Sequence, residues 1–132
     1  MPPHTCRILL IDDDPVSRAF AAEHLHNAGY QPDEAAGGAE GIAMAMRARP
    51  DLVLCDLLMP GVDGFNVLAR LRAEPATAAV PFVFITASAD EGDSRVGFGL
   101  GANDYLHKPL DGDTLIRVVE RCLAGAAAGR FA

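Results

Sequence analysis

Three stretches of the chain are continuously apolar: Ile8–Ile11, Leu52–Cys55 and Phe82–Ile85. Each is short, partly β-branched or aromatic, and none alternates with polar residues. Such runs read as strands covered on both faces, as in a parallel sheet between two layers of helices. The segments between them follow the helical period instead. Asp14-Pro15 is an N-cap followed by proline at the first helical position, and it predicts a helix ending near Ala28-Gly29. Ile42, Ala45 and Met46 share one face of a second helix, Gly38–Ala48, and Phe65, Leu68 and Leu71 one face of a third, Gly64–Ala73. A helix over Ala89–Leu100 is weakened by Gly92, Gly97 and Gly99. Asp111 caps a last helix whose Leu115, Val118, Val119, Cys122 and Leu123 form a continuous apolar stripe. Two weaker strands complete the pattern. Gln31–Glu34 contains Pro32, which cannot donate to a ladder and so belongs at a sheet edge. Asp104–His107 is short and mixed, also suited to an edge.

Strand and helix thus alternate five times, which implies an open α/β sandwich with right-handed crossovers. The 132 residues suit one domain with one layered core, and neither a repeat nor a low-complexity linker divides them. A core over about residues 6–124 is expected, with the Ala/Gly-rich Gly125–Ala132 as a fraying tail. The net charge of -7 leaves no basic face to neutralise phosphates, so direct nucleic-acid binding is not expected. Apolar stretches such as Val80–Ile85 fall far short of the roughly 20 residues that span a bilayer, so no membrane association is expected. Cys6, Cys55 and Cys122 are odd in number and widely spaced, which fits a reduced, cytoplasmic setting. Ten of the basic residues are Arg; Lys108 is the single Lys, and its position turns out to matter.

The polar residues fall at the strand ends. Asp12, Asp13 and Asp14 follow the first strand, Asp56 the third, Thr86 the fourth and Lys108 the fifth. In a doubly wound sheet these carboxyl ends share one edge, where ligands bind. Crowded carboxylates raise one another's pKa unless compensated. A hard divalent cation compensates them: Mg²⁺ takes oxygen ligands through one or two carboxylates, waters and phosphate oxygens. A lone lysine and a threonine hydroxyl would serve the remaining phosphate oxygens. That is equipment for phosphoryl transfer, with a carboxylate able to act as the acceptor.

The residues that carry these roles form four segments: Ile8-Leu9-Leu10-Ile11-Asp12-Asp13-Asp14, Asp56-Leu57-Leu58-Met59-Pro60-Gly61-Val62-Asp63-Gly64, Ile85-Thr86-Ala87, and Gly101-Ala102-Asn103-Asp104-Tyr105-Leu106-His107-Lys108-Pro109. In this order and spacing the chain resembles a receiver domain of a two-component response regulator, of the chemotaxis-regulator type, from about Cys6 to Leu123. The resemblance implies a flavodoxin-like, doubly wound five-stranded parallel sheet of order 2-1-3-4-5 with five helices. It implies that Asp56 accepts a phosphoryl group from a histidine kinase or a histidine phosphotransfer protein. Asp13, Asp56 and the backbone carbonyl of Leu58 would bind Mg²⁺, or Mn²⁺ in its place, with Asp12 acting mainly through bound water. Lys108, Thr86 and the Ala87 backbone would contact the phosphoryl group, and the bond to Pro109 would be cis. Thr86 and Tyr105 would move together as a switch, altering the face of the fourth helix, fifth strand and fifth helix. That face would meet a downstream effector or a fused output domain, or a second copy in a homodimer, to which Arg117 and Arg121 would contribute. Positions on the first helix such as Arg18 and Ala22 would carry kinase specificity.

Two positions depart from the commoner pattern and bear on hydrolysis. Leu58 and Ser88 stand two residues after Asp56 and Thr86. An apolar Leu58 cannot orient an attacking water, so slow autodephosphorylation of a non-enzymatic phosphoacceptor is expected. Plainer readings apply elsewhere. Asp14 reads as a helix cap, and Met59-Pro60 and Gly64 as turn formers. His4, His24, His26 and His107 read as structural or surface residues, and Cys55 as a small buried hydrophobe. Gly37-Gly38-Ala39-Glu40-Gly41 lacks the spacing of a dinucleotide loop. A second functional reading starts from Asp12-x-Asp14, which resembles the nucleophile and acid/base pair of haloacid-dehalogenase-like phosphatases. It leaves Asp56 and the Tyr105–Pro109 segment unexplained, and no acidic pair follows the fourth strand.

Overall fold

The computed structural model describes residues 5–87 and 91–129. Elements alternate without exception: β1 (Arg7–Ile11), α1 (Pro15–Asn27), β2 (Gln31–Ala35), α2 (Gly38–Arg47), β3 (Leu52–Asp56), α3 (Gly64–Ala73), β4 (Phe82–Thr86), α4 (Glu91–Gly99), β5 (Asp104–His107) and α5 (Gly112–Gly129). The strands pair in parallel in the order β2-β1-β3-β4-β5. Pro32 therefore lies in an edge strand, where its missing N–H costs the ladder least.

Side-chain alternation along the apolar strands divides the core in two. Ile8, Leu10, Leu52, Leu54, Val83 and Ile85 pack with α1 and α5 through Ala21, Leu25, Leu115, Val118 and Val119. Leu9, Ile11, Val53, Cys55, Phe82 and Phe84 face the other way, onto Ala45 of α2 and Val67, Leu68 and Leu71 of α3. Both layers are needed because β3 and β4 are buried at every residue.

The capping signals act as written. Asp14 accepts the Val16 N–H at 3.0 Å and Asp111 that of Thr114 at 3.0 Å; Asp63, not singled out as a cap in the sequence, accepts that of Asn66 at 2.9 Å. Gly29, just past α1, takes a positive φ of 93° that an L side chain rarely adopts.

Three expectations need correction. The buried face of α2 is Gly38, Gly41 and Ala45 with Met44 beside it, while Met46 is exposed. The reason is Gly41, whose missing Cβ lets the helix backbone rest on Ile11 and turns Met46 outward. Met59 is buried in the core rather than a turn former. Finally, α5 continues through Gly129, past Gly125 where a tail was expected. Alanine has the highest helix propensity, which outweighs the roughly 1 kcal/mol cost of one interior glycine. The start of the expected fourth helix at Ala89, together with Ser88 and His4, lies outside the described residues.

Candidate functional site

The strand ends meet as the topology requires. Asp12 and Asp13 follow β1, Asp56 and Thr86 are the last residues of β3 and β4, and Lys108 follows β5. Asp12 is 1% exposed and Asp56 5%, whereas Asp13 lies at the open side. One carboxylate oxygen from each of the three lies within 4.8 Å of the others. Among the described residues this is the one such group of metal-ligating side chains. Lys108 Nζ stands 3.1 Å from Asp12 Oδ2 and 3.3 Å from Asp56 Oδ2.

The balance of charge at this spot is three acids against one base. Asp12 Oδ1 accepts the Asp14 N–H at 2.9 Å and lies 3.4 Å from Lys108 Nζ. Asp12 Oδ2, although near the ammonium, has no aligned hydrogen-bond donor. A buried carboxylate oxygen in that condition is costly, and such exceptions are few in folded proteins. An all-oxygen donor set with surplus negative charge, partly open to solvent, fits a hard divalent ion such as Mg²⁺ or Mn²⁺.

Electrostatics at the centre follow from burial. Burial, joined by the charge of Asp12, pushes the Asp56 carboxyl up against the opposing pull of Lys108, leaving it at about 6 from its ordinary 3.8. For Lys108 burial acts downward, but hydrogen bonding and charge from Asp12, and then from Asp56, leave its ammonium raised. The Cys55 thiol is pushed well up by burial and by neighbouring Asp56, which keeps it protonated and inert.

The backbone around Asp56 is fixed by close packing. A Cβ on Gly64 would lie 2.6 Å from the Asp56 carbonyl oxygen and 2.9 Å from the Phe84 ring. Gly64 is thus a close-approach glycine, and the turn itself is made at Gly61, φ 76°. The Leu58 N–H donates to Asp56 Oδ1 at 3.3 Å, while its side chain is 60% exposed beside the opening. The Lys108 N–H donates to the Thr86 carbonyl at 2.9 Å, and the Lys108-Pro109 bond is cis. The hydrogen bond to Thr86 fixes the lysine's backbone at the strand ends, from which its side chain reaches Asp12 and Asp56.

Thr86 is buried at the end of β4, with exposed Ala87 after it. Tyr105, opposite Phe84 in the β4–β5 register, shares the sheet face of Thr86. Its ring packs on Phe84 at 5.1 Å and Phe98 at 5.0 Å, and its hydroxyl occupies the space where Gly97 of α4 lacks a Cβ. Arg121 of α5 pairs with Asp104 of β5.

Some residues singled out in the sequence stand apart from the site. His24 bonds the Phe20 carbonyl at 3.0 Å through Nδ1 and packs on Gly112; it joins α1 to α5. Arg18, on α1, is half-buried and bonded at both ends of its guanidinium. Its Nη1 donates to the Asp12 carbonyl at 2.7 Å and its Nε to Glu34 at 3.2 Å. Nothing in the periodicity of α1 announces that contact; its position one turn after Asp14 is the available clue.

Comparison with known proteins agrees with this geometry. Residues 8–120 match the family model described as the response regulator receiver domain. Protein PilH of Pseudomonas aeruginosa is 38% identical over 119 residues, covering 90% of this chain and 98% of PilH. The DNA-binding dual master transcriptional regulator RpaA of Synechocystis sp. is 42% identical over 117 residues, or 89% of this chain, which spans only 48% of RpaA. Among solved structures, the receiver domain of a sensor histidine kinase from Pseudomonas aeruginosa superposes with a TM-score of 0.84 at 32% identity, covering 92% of this chain and 99% of that one. That crystal structure holds a magnesium ion coordinated in its active site cleft. With five parallel strands, acids and a lysine at their carboxyl ends, and a family match over nearly its whole length, the chain belongs to the response regulator receiver domain family of two-component signalling proteins.

Proposed function

We propose that the chain is a phosphorylation-driven switch in which Asp56 accepts a phosphoryl group from a histidine kinase or a histidine phosphotransfer protein. The observation that carries this is the convergence of Asp12, Asp13 and Asp56 within 4.8 Å of one another, opposite Lys108. Asp12, Asp13, Asp56 and the Leu58 carbonyl would hold Mg²⁺, with Mn²⁺ able to replace it. When bound, the ion supplies charge neutralisation for the crowded acids and the incoming phosphoryl oxygens. Asp56 presents an Oδ to phosphorus; the new O–P bond forms as the N–P bond of the donor breaks, and the imidazole leaves with the bonding electron pair. Lys108, already held between two carboxylates, balances charge on the phosphoryl oxygens, and the Thr86 hydroxyl and Ala87 N–H donate to them. Rearrangement of Thr86 and Tyr105 then transmits the change to the α4–β5–α5 face.

That face would contact a downstream effector or a fused output domain, or pair two copies through residues including Arg117 and Arg121. The setting is cytoplasmic, in keeping with reduced thiols; among the described residues no helix is long and apolar enough to cross a membrane. No nucleic-acid contact by this domain itself is proposed, given the net charge of -7. No separate enzymatic turnover is proposed beyond self-catalysed phosphotransfer and slow loss of the phosphoryl group.

Intact mass after incubation with Mg²⁺ and acetyl phosphate tests the reading. One phosphoryl adduct that requires the metal and vanishes in Asp56→Ala is the expected result. An adduct that persists without Asp56, with turnover of a phosphomonoester, would overturn it in favour of Asp12 as nucleophile.

A further inference from the structure

We infer that Arg18 is a positioning residue of the acidic site, setting its affinity for the divalent cation from behind the carboxylates. The inference rests on the receiver reading above and adds to it. Asp12 is the first residue past the β1 ladder, whose last pairs are Ile11 with Ala35 and with Cys55. Its peptide groups would lack partners there, yet all are bonded. The Asp12 N–H donates to the Ala35 carbonyl at 3.1 Å, and the Asp12 carbonyl accepts from Arg18 Nη1 at 2.7 Å. Asp12 Oδ1 accepts the Asp14 N–H at 2.9 Å.

Asp13 lies between these fixed points. Among the described residues nothing hydrogen-bonds its exposed side chain, so its carboxylate is placed by the backbone alone. The Asp12–Asp13 peptide is therefore what orients Asp13, and Arg18 grips its carbonyl. The guanidinium is itself held: Nε donates to Glu34 of β2 at 3.2 Å, and the side chain is only 20% exposed. A planar fork between a carbonyl and a carboxylate restricts rotation in a way a lysine cannot reproduce. The same cation also sits next to the negative cluster, reducing the repulsion among the three acids in the metal-free protein.

Partners that orient metal ligands without touching the metal typically contribute 10–100-fold in affinity. Titration calorimetry of Mg²⁺ on the full chain, without phosphodonor, should show Arg18→Ala binding about 10-fold or more weakly than wild type, with Arg18→Lys between them. Amide exchange in EDTA gives a metal-free readout: the Asp14 N–H should exchange faster in Arg18→Ala. Arg7→Ala is the control, because Arg7 pairs with Asp33 at 2.7 Å on the same edge strand but at the opposite end of β1. It should lower stability and leave Mg²⁺ affinity within twofold of wild type. Asp56 charging by acetyl phosphate should be slow in Arg18→Ala at low Mg²⁺ and recover at saturation.

Mg²⁺ affinity in a folded Arg18→Ala within twofold of wild type would overturn the inference, and so would equal loss in Arg7→Ala. Should Arg18→Ala not fold, unchanged affinity and Asp14 exchange in Arg18→Lys would overturn it. Normal Mg²⁺ binding with impaired transfer from a histidine kinase would assign Arg18 to partner recognition instead. A wild-type chain that binds no Mg²⁺ would refute the receiver reading itself, a result distinct from all of these.

Discussion

Replacing Asp56 by Asn removes the proposed phosphoacceptor, and it should also make the metal-free protein more stable. The carboxyl is 5% exposed and its ionisation midpoint rises on folding from 3.8 to about 6. An acid so shifted costs the fold about 3 kcal/mol when ionised, because the unfolded chain holds the charge more cheaply. The raised folded value fixes the sign. Above about pH 6 the cost is present in full, and below the unfolded value both states are protonated and it is gone. Asparagine keeps the shape without the charge, though its amide donors face the Lys108 ammonium, so a net gain of about 1–3 kcal/mol is expected at neutral pH. Urea unfolding in EDTA measures it: the midpoint should rise by about 0.5–1.5 M, with an unchanged slope. The gap should close as pH falls toward 4, and it should narrow with Mg²⁺, which stabilises wild type by about 2.7 kcal/mol at a hundredfold excess over Kd. An Asn variant no more stable than wild type in EDTA at neutral pH, or a gap independent of pH, would refute this account of the site.

Other substitutions separate the roles of the neighbouring residues. Lys108→Met should lower stability in EDTA by about 3 kcal/mol, since it leaves two carboxylates unpaired, and Mg²⁺ should restore more of it than in wild type; equal urea midpoints would contradict this. Gly64→Ala should cost about 1–3 kcal/mol in a thermal melt and slow Asp56 charging, because the new Cβ meets the Asp56 carbonyl. Gly97→Ala should force the Tyr105 ring from its place on α4. With only two tyrosines and no tryptophan in the chain, a Tyr30→Phe background lets acrylamide quenching report Tyr105 alone, and quenching should increase. Leu58→Asn should shorten the phosphoryl half-life relative to wild type, followed by decay of the mass adduct; an unchanged half-life would remove Leu58 from the account.

The architecture was legible because its signals are local. Apolar runs mark β1, β3 and β4, while Asp14-Pro15 and Asp111 mark helix starts through side chains bonding nearby N–H groups. The acids and the lysine were legible because they follow strands whose ends a parallel sheet must bring together. What escaped was set by contacts across the fold. Met46 follows the apolar pattern of α2 as well as Met44 does, and only the fit of Gly41 onto Ile11 decides between them. Gly64 looks like a turn residue until α3 is seen resting on the Asp56 carbonyl. Arg18 resembles any helix-surface cation, since its partner is a backbone oxygen that sequence does not display. The continuation of α5 was masked by Gly125, whose modest penalty is spread over a run of alanines.

The lysine that touches Asp12 and Asp56 lies 96 and 52 residues away from them along the chain. Contacts of such separation carry a larger loop-closure cost than local ones. A nascent chain that has not yet supplied β5 has its acids but no ammonium between them. The complete charged pocket therefore exists only in a chain that includes the residue following β5. Truncated copies, however native their first strands, lack Lys108 and with it the cation between Asp12 and Asp56.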